Sequence, residues 1–72
     1  MMLEEALWQD PARMGGTVCF RDSRVPVRIL FEHLALDKLD EFYDGFEIPR
    51  EQVEAVLQAA SQLVQREMAR AD

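Results

Sequence analysis

Hydrophobic residues follow two different rhythms along this chain. Near the N-terminus, residues 17–21 alternate, with Val18 and Phe20 on one side and Thr17, Cys19 and Arg21 on the other. A period of two is the signature of a half-buried strand. Gly15-Gly16 supplies a flexible turn into this segment, and Asp22-Ser23 bends the chain after it, aspartate tolerating the left-handed conformation better than most residues. Ahead of it, residues 3–9 read as a helical turn with Leu3, Leu7 and Trp8 near one side. Asp10-Pro11 ends that turn, because the residue before a proline is pushed out of the helical region. From Pro26 onward the rhythm changes. Pro26 suits a first helical position, and Val27, Leu30, Phe31 and Leu34 recur at the spacing of one helix face. Asp37 is placed to cap a second helix, with Asp40 at the capping-box position. Leu39, Phe42 and Tyr43 form the apolar side of that helix, and Gly45 marks its end. Pro49 opens a last helix in which Val53, Val56, Leu57, Ala60, Leu63, Val64 and Met68 make an unbroken apolar stripe.

These elements predict a mainly α fold: a short N-terminal β-arm or hairpin, then a three-helix, helix-turn-helix-like bundle ending in a long C-terminal helix. Residues 1–72 form a single domain, with 1–25 as the extended arm and 26–72 as the helical body. At roughly 1.5 Å per residue, a helix over 49–69 spans about 30 Å, more than two shorter helices can cover. The first half of the stripe is therefore expected to pack within the chain, and the second half against a partner subunit. Size points the same way. A chain of 72 residues buries only roughly 60% of the surface that its unfolded form exposes. Small domains are then helped by disulfides, metals or oligomerisation. Cys19 is the single cysteine and no Cys/His cluster offers metal ligands, so a homodimer is the expectation.

Net charge is −6, concentrated in the middle of the chain. Residues 25–48 carry Glu32, Asp37, Asp40, Glu41, Asp44 and Glu47 against only Arg28 and Lys38. Such a surface either is simply solvated or repels phosphates and attracts a basic partner. No apolar run approaches the ~20 residues of a membrane span. The start, Met1-Met2-Leu3-Glu4-Glu5, lacks the positive and apolar regions of a signal peptide. Cytoplasmic localisation is expected, and a lone reduced thiol agrees with it.

No residues assemble into a catalytic set. His33 has no nucleophile at a suggestive spacing, and adjacent Glu32 points elsewhere on a helix, so a structural or surface role is expected. Cys19 reads as a buried or interface thiol. Asp37, Asp40, Glu41 and Asp44 fall at i, i+3, i+4 and i+7, one helix face, and read as a solvated or partner-docking surface rather than a cation site. We therefore expect a non-enzymatic protein without metal or cofactor. Nucleic-acid contact has two candidate surfaces. In a helix-turn-helix built from residues 38–44 and the last helix, Arg50 and Gln52 are competent readers of guanine and adenine, beside the acids Glu51 and Glu54. The other surface is the arm, where Arg13, Arg21, Arg24 and Arg28 make up half of the eight cationic side chains. Of these, Arg21, Arg24 and Arg28 could contact DNA as a β-ribbon does, or pair with acids across a dimer interface. A plain three-helix packing unit is the alternative to a DNA reader, since phosphate neutralisation supplies most DNA affinity and this chain is acidic.

Gly16, the run Arg24-Val25-Pro26-Val27 and the later Ile48-Pro49-Arg50-Glu51-Gln52-Val53 together resemble the small bacterial family catalogued as domain of unknown function 433. The likeness covers roughly residues 8–60. Asp22-Ser23 stands where that family favours glycine-threonine, so the turn keeps its geometry only if Asp22 accepts a left-handed conformation. Leu36-Asp37 falls where a glycine commonly ends the first helix. The resemblance implies an antitoxin-like, homeodomain-like protein that is encoded beside a small PIN-like nuclease and represses its own operon. It also implies dimerisation through the extended segment, which makes Val18, Phe20 and Val25 candidate interface residues beside Leu63 and Val64 of the stripe. The partners then expected are a second copy, a cognate toxin nuclease and operator DNA. A stand-alone DNA-binding regulator and a purely structural dimerisation module remain the alternatives.

Overall fold

The computed structural model describes residues 1–12 and 14–70. Arg13, counted above among the arm's cations, lies outside the described residues. In chain order the elements are α1 (Leu3–Ala6), β1 (Leu7–Trp8), a 3-10 turn (Met14–Gly16), β2 (Cys19–Phe20), α2 (Val27–Ala35), α3 (Leu39–Phe46) and α4 (Arg50–Arg70). The fold is mainly helical, with a small antiparallel ribbon near the N-terminus and a long C-terminal helix. No helix among the described residues is long and apolar enough to cross a membrane.

The helical turn expected over residues 3–9 is shorter than its apolar spacing suggests. Backbone NH groups of Glu5 and Ala6 donate to the Met2 carbonyl, and the Glu5 carboxylate accepts from the Met2 NH at 2.8 Å. Leu7 then swings to φ −128°, ψ 160°. Extended backbone wins here because β2 offers partners: Leu7 pairs with Phe20 and Trp8 with Cys19, while the Trp8 indole donates to the Ser23 carbonyl at 3.0 Å. On its other side, β2 meets the segment leading into α2. Phe20 NH donates to Val25 O and Val27 NH to Val18 O, each at 3.0 Å, and Cys19 bridges Pro26. The short strand is thus hydrogen-bonded along both edges.

The reversal between these two pieces depends on Asp22, which takes φ 64° and so adopts the conformation that glycine would supply. Ser23 secures the turn, its NH and its Oγ both donating to Phe20 O at 3.1 and 2.8 Å. The expected strand alternation holds only in part. Cys19 and Phe20 are both buried, whereas Val18 is exposed, because the paired segment is two residues long and Val18 lies beyond its end.

Helix boundaries shift by a residue or two from the sequence-based expectation. Pro26, in extended backbone at φ −63° and ψ 142°, precedes α2 rather than opening it. Asp37 does not cap α3. It adopts φ 57°, and Lys38 occupies the N-cap without a side-chain hydrogen bond. Nor does Gly45 end α3. The helix runs to Phe46 and closes at Glu47, a left-handed C-cap with φ 56° whose NH donates to Tyr43 O. The connection 47–49 then leads into α4, with the Pro49 carbonyl accepting from Gln52 NH and Val53 NH.

The core gathers Phe20 from the ribbon, Leu30 from α2, Phe42 from α3, Ile48 from the connection, and Val53 and Val56 from α4. Phe42 is its hub: its ring centroid lies 5.9 Å from Phe20, 5.3 Å from Phe46 and 5.7 Å from His33. Fully burying a phenylalanine contributes roughly 1.5–3 kcal/mol. The left-handed C-cap has the opposite sign, because a non-glycine residue costs roughly 1–2 kcal/mol in that region. Glu47 is exposed. Glu47→Gly is therefore expected to raise the urea midpoint by an amount equivalent to about 1 kcal/mol, and Glu47→Val to lower it. A chemical denaturation series with unchanged slope checks both.

Candidate partner-binding surfaces

The residues expected to read DNA are placed on quite different duties. Gln52, expected on an exposed recognition face, is instead buried, with only 7% of its surface exposed. Its Nε2 donates to two backbone carbonyls, Ala6 O and Arg21 O, each at 3.3 Å. Those carbonyls lie side by side at one end of the ribbon, just before β1 and just after β2, so the Gln52 amide ties the first turn of α4 to both strands. The reason is geometric: Val53 must face the core, and its neighbour is then carried against the ribbon. There it gives the Arg21 carbonyl a donor and adds a second one to the Ala6 carbonyl, which already accepts from Arg21 NH at 2.8 Å. Arg50 stays exposed, with its guanidinium 4.2 Å from the centroid of the Tyr43 ring. A cation over an aromatic face is worth about 0.5–1 kcal/mol at an exposed site. Exposed Glu51 and Glu54 flank the same turn.

Arg21, Arg24 and Arg28 stand in different surroundings. Arg21 donates to the Glu4 carbonyl at 2.6 Å, tying the ribbon to α1. Arg28 pairs with Glu32 one helical turn away at 3.1 Å, on solvent-exposed side chains. Arg24 is exposed near the turn. Of the residues expected at a dimer interface, Phe20 is fully buried in the chain's own core and has no surface to offer a second copy. Val25 packs partly buried against that core, while Val18 remains exposed. Leu63 and Val64 are exposed at 55% and 62%.

His33 is a packing residue in this arrangement. Its Nδ1 lies 2.8 Å from the Ile29 carbonyl, which can only accept, so Nδ1 carries the hydrogen. The ring stands edge-on to Phe42 and Phe46, between α2 and α3. Cys19 is buried, as expected of a structural thiol.

Two surfaces are left for partners. The first is acidic. Asp40, Glu41 and Asp44 are exposed along α3, with Asp37 before it and Glu47 after it. Asp37 lies in the left-handed turn and not on the helix, so the four acids of the expected line do not share one face. Among the described residues, these five carboxylates make no ion pair within the chain, and Lys38 is the only cation in the stretch. The second surface is apolar and was only half legible. A groove of about 610 Å³ is lined by Met2, Leu3 and Phe31 together with Val56, Ala59 and Leu63 of α4. The α4 stripe signalled one wall. Phe31 carried a misleading signal, since its spacing reads as core although the residue is 39% exposed.

The model of the family described as "Protein of unknown function (DUF433)" matches residues 8–59. No curated protein and no solved structure matches the chain.

The placement of Gln52 sets a test of its role. Gln52→Leu leaves the carbonyls of Ala6 and Arg21 without their side-chain donor and is expected to destabilise the fold by about 1–3 kcal/mol. Arg50→Ala, on the exposed side of the same turn, is expected to cost under about 1 kcal/mol. Thermal melts of the two variants against the parent check the order.

Proposed function

Starting from the membership of this chain in the DUF433 family, we propose that it is a non-catalytic protein-binding module, the antitoxin of a toxin–antitoxin pair that neutralises a small, basic, PIN-like nuclease. The observation that carries this reading is the unpaired acidic surface of α3 and its flanks. Among the described residues these five exposed carboxylates make no ion pair within the chain, and charge complementarity speeds encounter with a basic protein while excluding an acidic one. An acidic surface also stands in for the phosphates that a nuclease binds. The protein acts in the cytoplasm, where its nuclease would otherwise meet RNA.

Direct repression of its own operon is a weaker part of the reading. DNA recognition by the first turn of α4 loses its adenine reader to the fold, because the Gln52 amide is occupied by backbone carbonyls. Arg50 would also have to bring Glu51 and Glu54 against phosphates. Any DNA contact then falls to Arg24 and its neighbours in the ribbon.

The test is a tagged purification from the native host with the co-purifying proteins identified. A near-stoichiometric small basic nuclease is expected. Recovery of the protein without a nuclease would overturn the reading. Once the complex is in hand, combined reversal of Asp40, Glu41 and Asp44 to lysine should weaken it at least ~100-fold while the chain stays folded, although losing Asp40 and Glu41 from the first turn of α3 lowers stability by about 1–2 kcal/mol. Unchanged affinity would remove α3 as the docking surface.

A further inference from the structure

The C-terminal half of α4 projects away from the core. Along one helix face, exposure rises steadily: Val53 and Val56 are buried, Leu57 and Ala60 half-buried, and Leu63, Val64 and Met68 are 55%, 62% and 70% exposed. Every residue from Ser61 to Arg70 is exposed. The shape records the same projection. The radius of gyration is 13.1 Å, against about 11 Å for a compact chain of this length.

We propose that a second copy of this chain covers that face, the two α4 helices packing antiparallel about a twofold axis near Leu63 and Val64. Three observations select this occupant. The first is area. The chain exposes 5483 Å², whereas a folded monomer of 8.3 kDa exposes about 4,600 Å² by the scaling of surface with mass. The surplus of about 900 Å² is close to the roughly 800 Å² per partner that a standard interface buries. The second is self-complementarity. An antiparallel pair centred at Leu63 and Val64 carries the C-terminal turn of one copy alongside residues 56–60 of the other. There the groove lined by Leu3, Phe31 and α4 itself gives that turn an apolar bed. A twofold interface of this kind repeats each contact and closes on itself. The third is charge. Two molecules of net charge −6 repel one another over most of their surface, but residues 55–70 carry only Arg66, Glu67 and Arg70. At the projecting end, two copies can meet with little like-charge cost. This interface leaves α3 free and does not depend on the nuclease reading.

Sedimentation equilibrium of the isolated full chain is the test, together with two variants. The wild type is expected at twice the 8.3 kDa chain mass in the micromolar range. The double variant Leu63→Glu, Val64→Glu should be monomeric, with association weakened at least ~100-fold and an unchanged far-ultraviolet spectrum, because neither side chain contributes to the core. Leu63→Cys, near the proposed axis, should form a disulfide-linked dimer under mild oxidation, whereas Arg28→Cys on α2 should not. A wild-type monomer would overturn the proposal and assign the α4 face to a different protein. A dimer that survives the double variant, or that fails to cross-link through Leu63→Cys, would overturn the α4 interface and move dimerisation to another surface.

Discussion

The two residues of β2 are hydrogen-bonded along both edges, and most of the fold depends on that. A strand this short has no stability alone, since isolated two-stranded ribbons are marginal in water. Here Cys19 and Phe20 receive β1 on one side and the segment before α2 on the other. The Phe20 ring passes into the core against Phe42, and Gln52 completes the junction from α4 by bonding the carbonyls that flank both strands at one end of the ribbon. Arm and body are therefore one cooperative unit. The N-terminal segment behaves as the third wall of the core, which is why its most hydrophobic residue has no exposed surface.

This closure determines which surfaces remain. The core takes up the N-terminal part of α4, the inner faces of α2 and α3, and the ribbon. What is left separates by chemistry: an acidic strip along α3, and an apolar, nearly uncharged end on α4 with a groove at its side. The two lie on different helices, so a protein partner and a second copy need not compete for the same residues.

Short connections carry a conformational cost in this chain. Asp22, Asp37 and Glu47 all have positive φ, each at a junction between elements. None of the three is glycine, and the backbone holds the left-handed geometry in spite of the side chain. For a domain whose total stability is expected in the range of about 5–15 kcal/mol, three such residues are a noticeable fraction. They persist because the packing of Phe20, Phe42 and Ile48 on either side determines the chain path.

Local pattern alone determined the fold class, the two helices after Pro26, the long α4 and the left-handed turn at Asp22, because helix periodicity, proline and aspartate act through their immediate neighbours. It also placed His33 and Cys19 among structural residues. Tertiary structure decided the rest. Leu7 and Trp8 have helical spacing, yet they extend because β2 supplies partners far along the chain. Gln52 looks like a base reader, yet it is drawn into the junction because two backbone carbonyls from distant segments converge there. Phe31 has core spacing and lies on a groove, and Asp37 has cap chemistry and occupies a turn. In each case the deciding group is a hydrogen-bonding or packing partner from elsewhere in the chain, and only the folded arrangement says which partner that is.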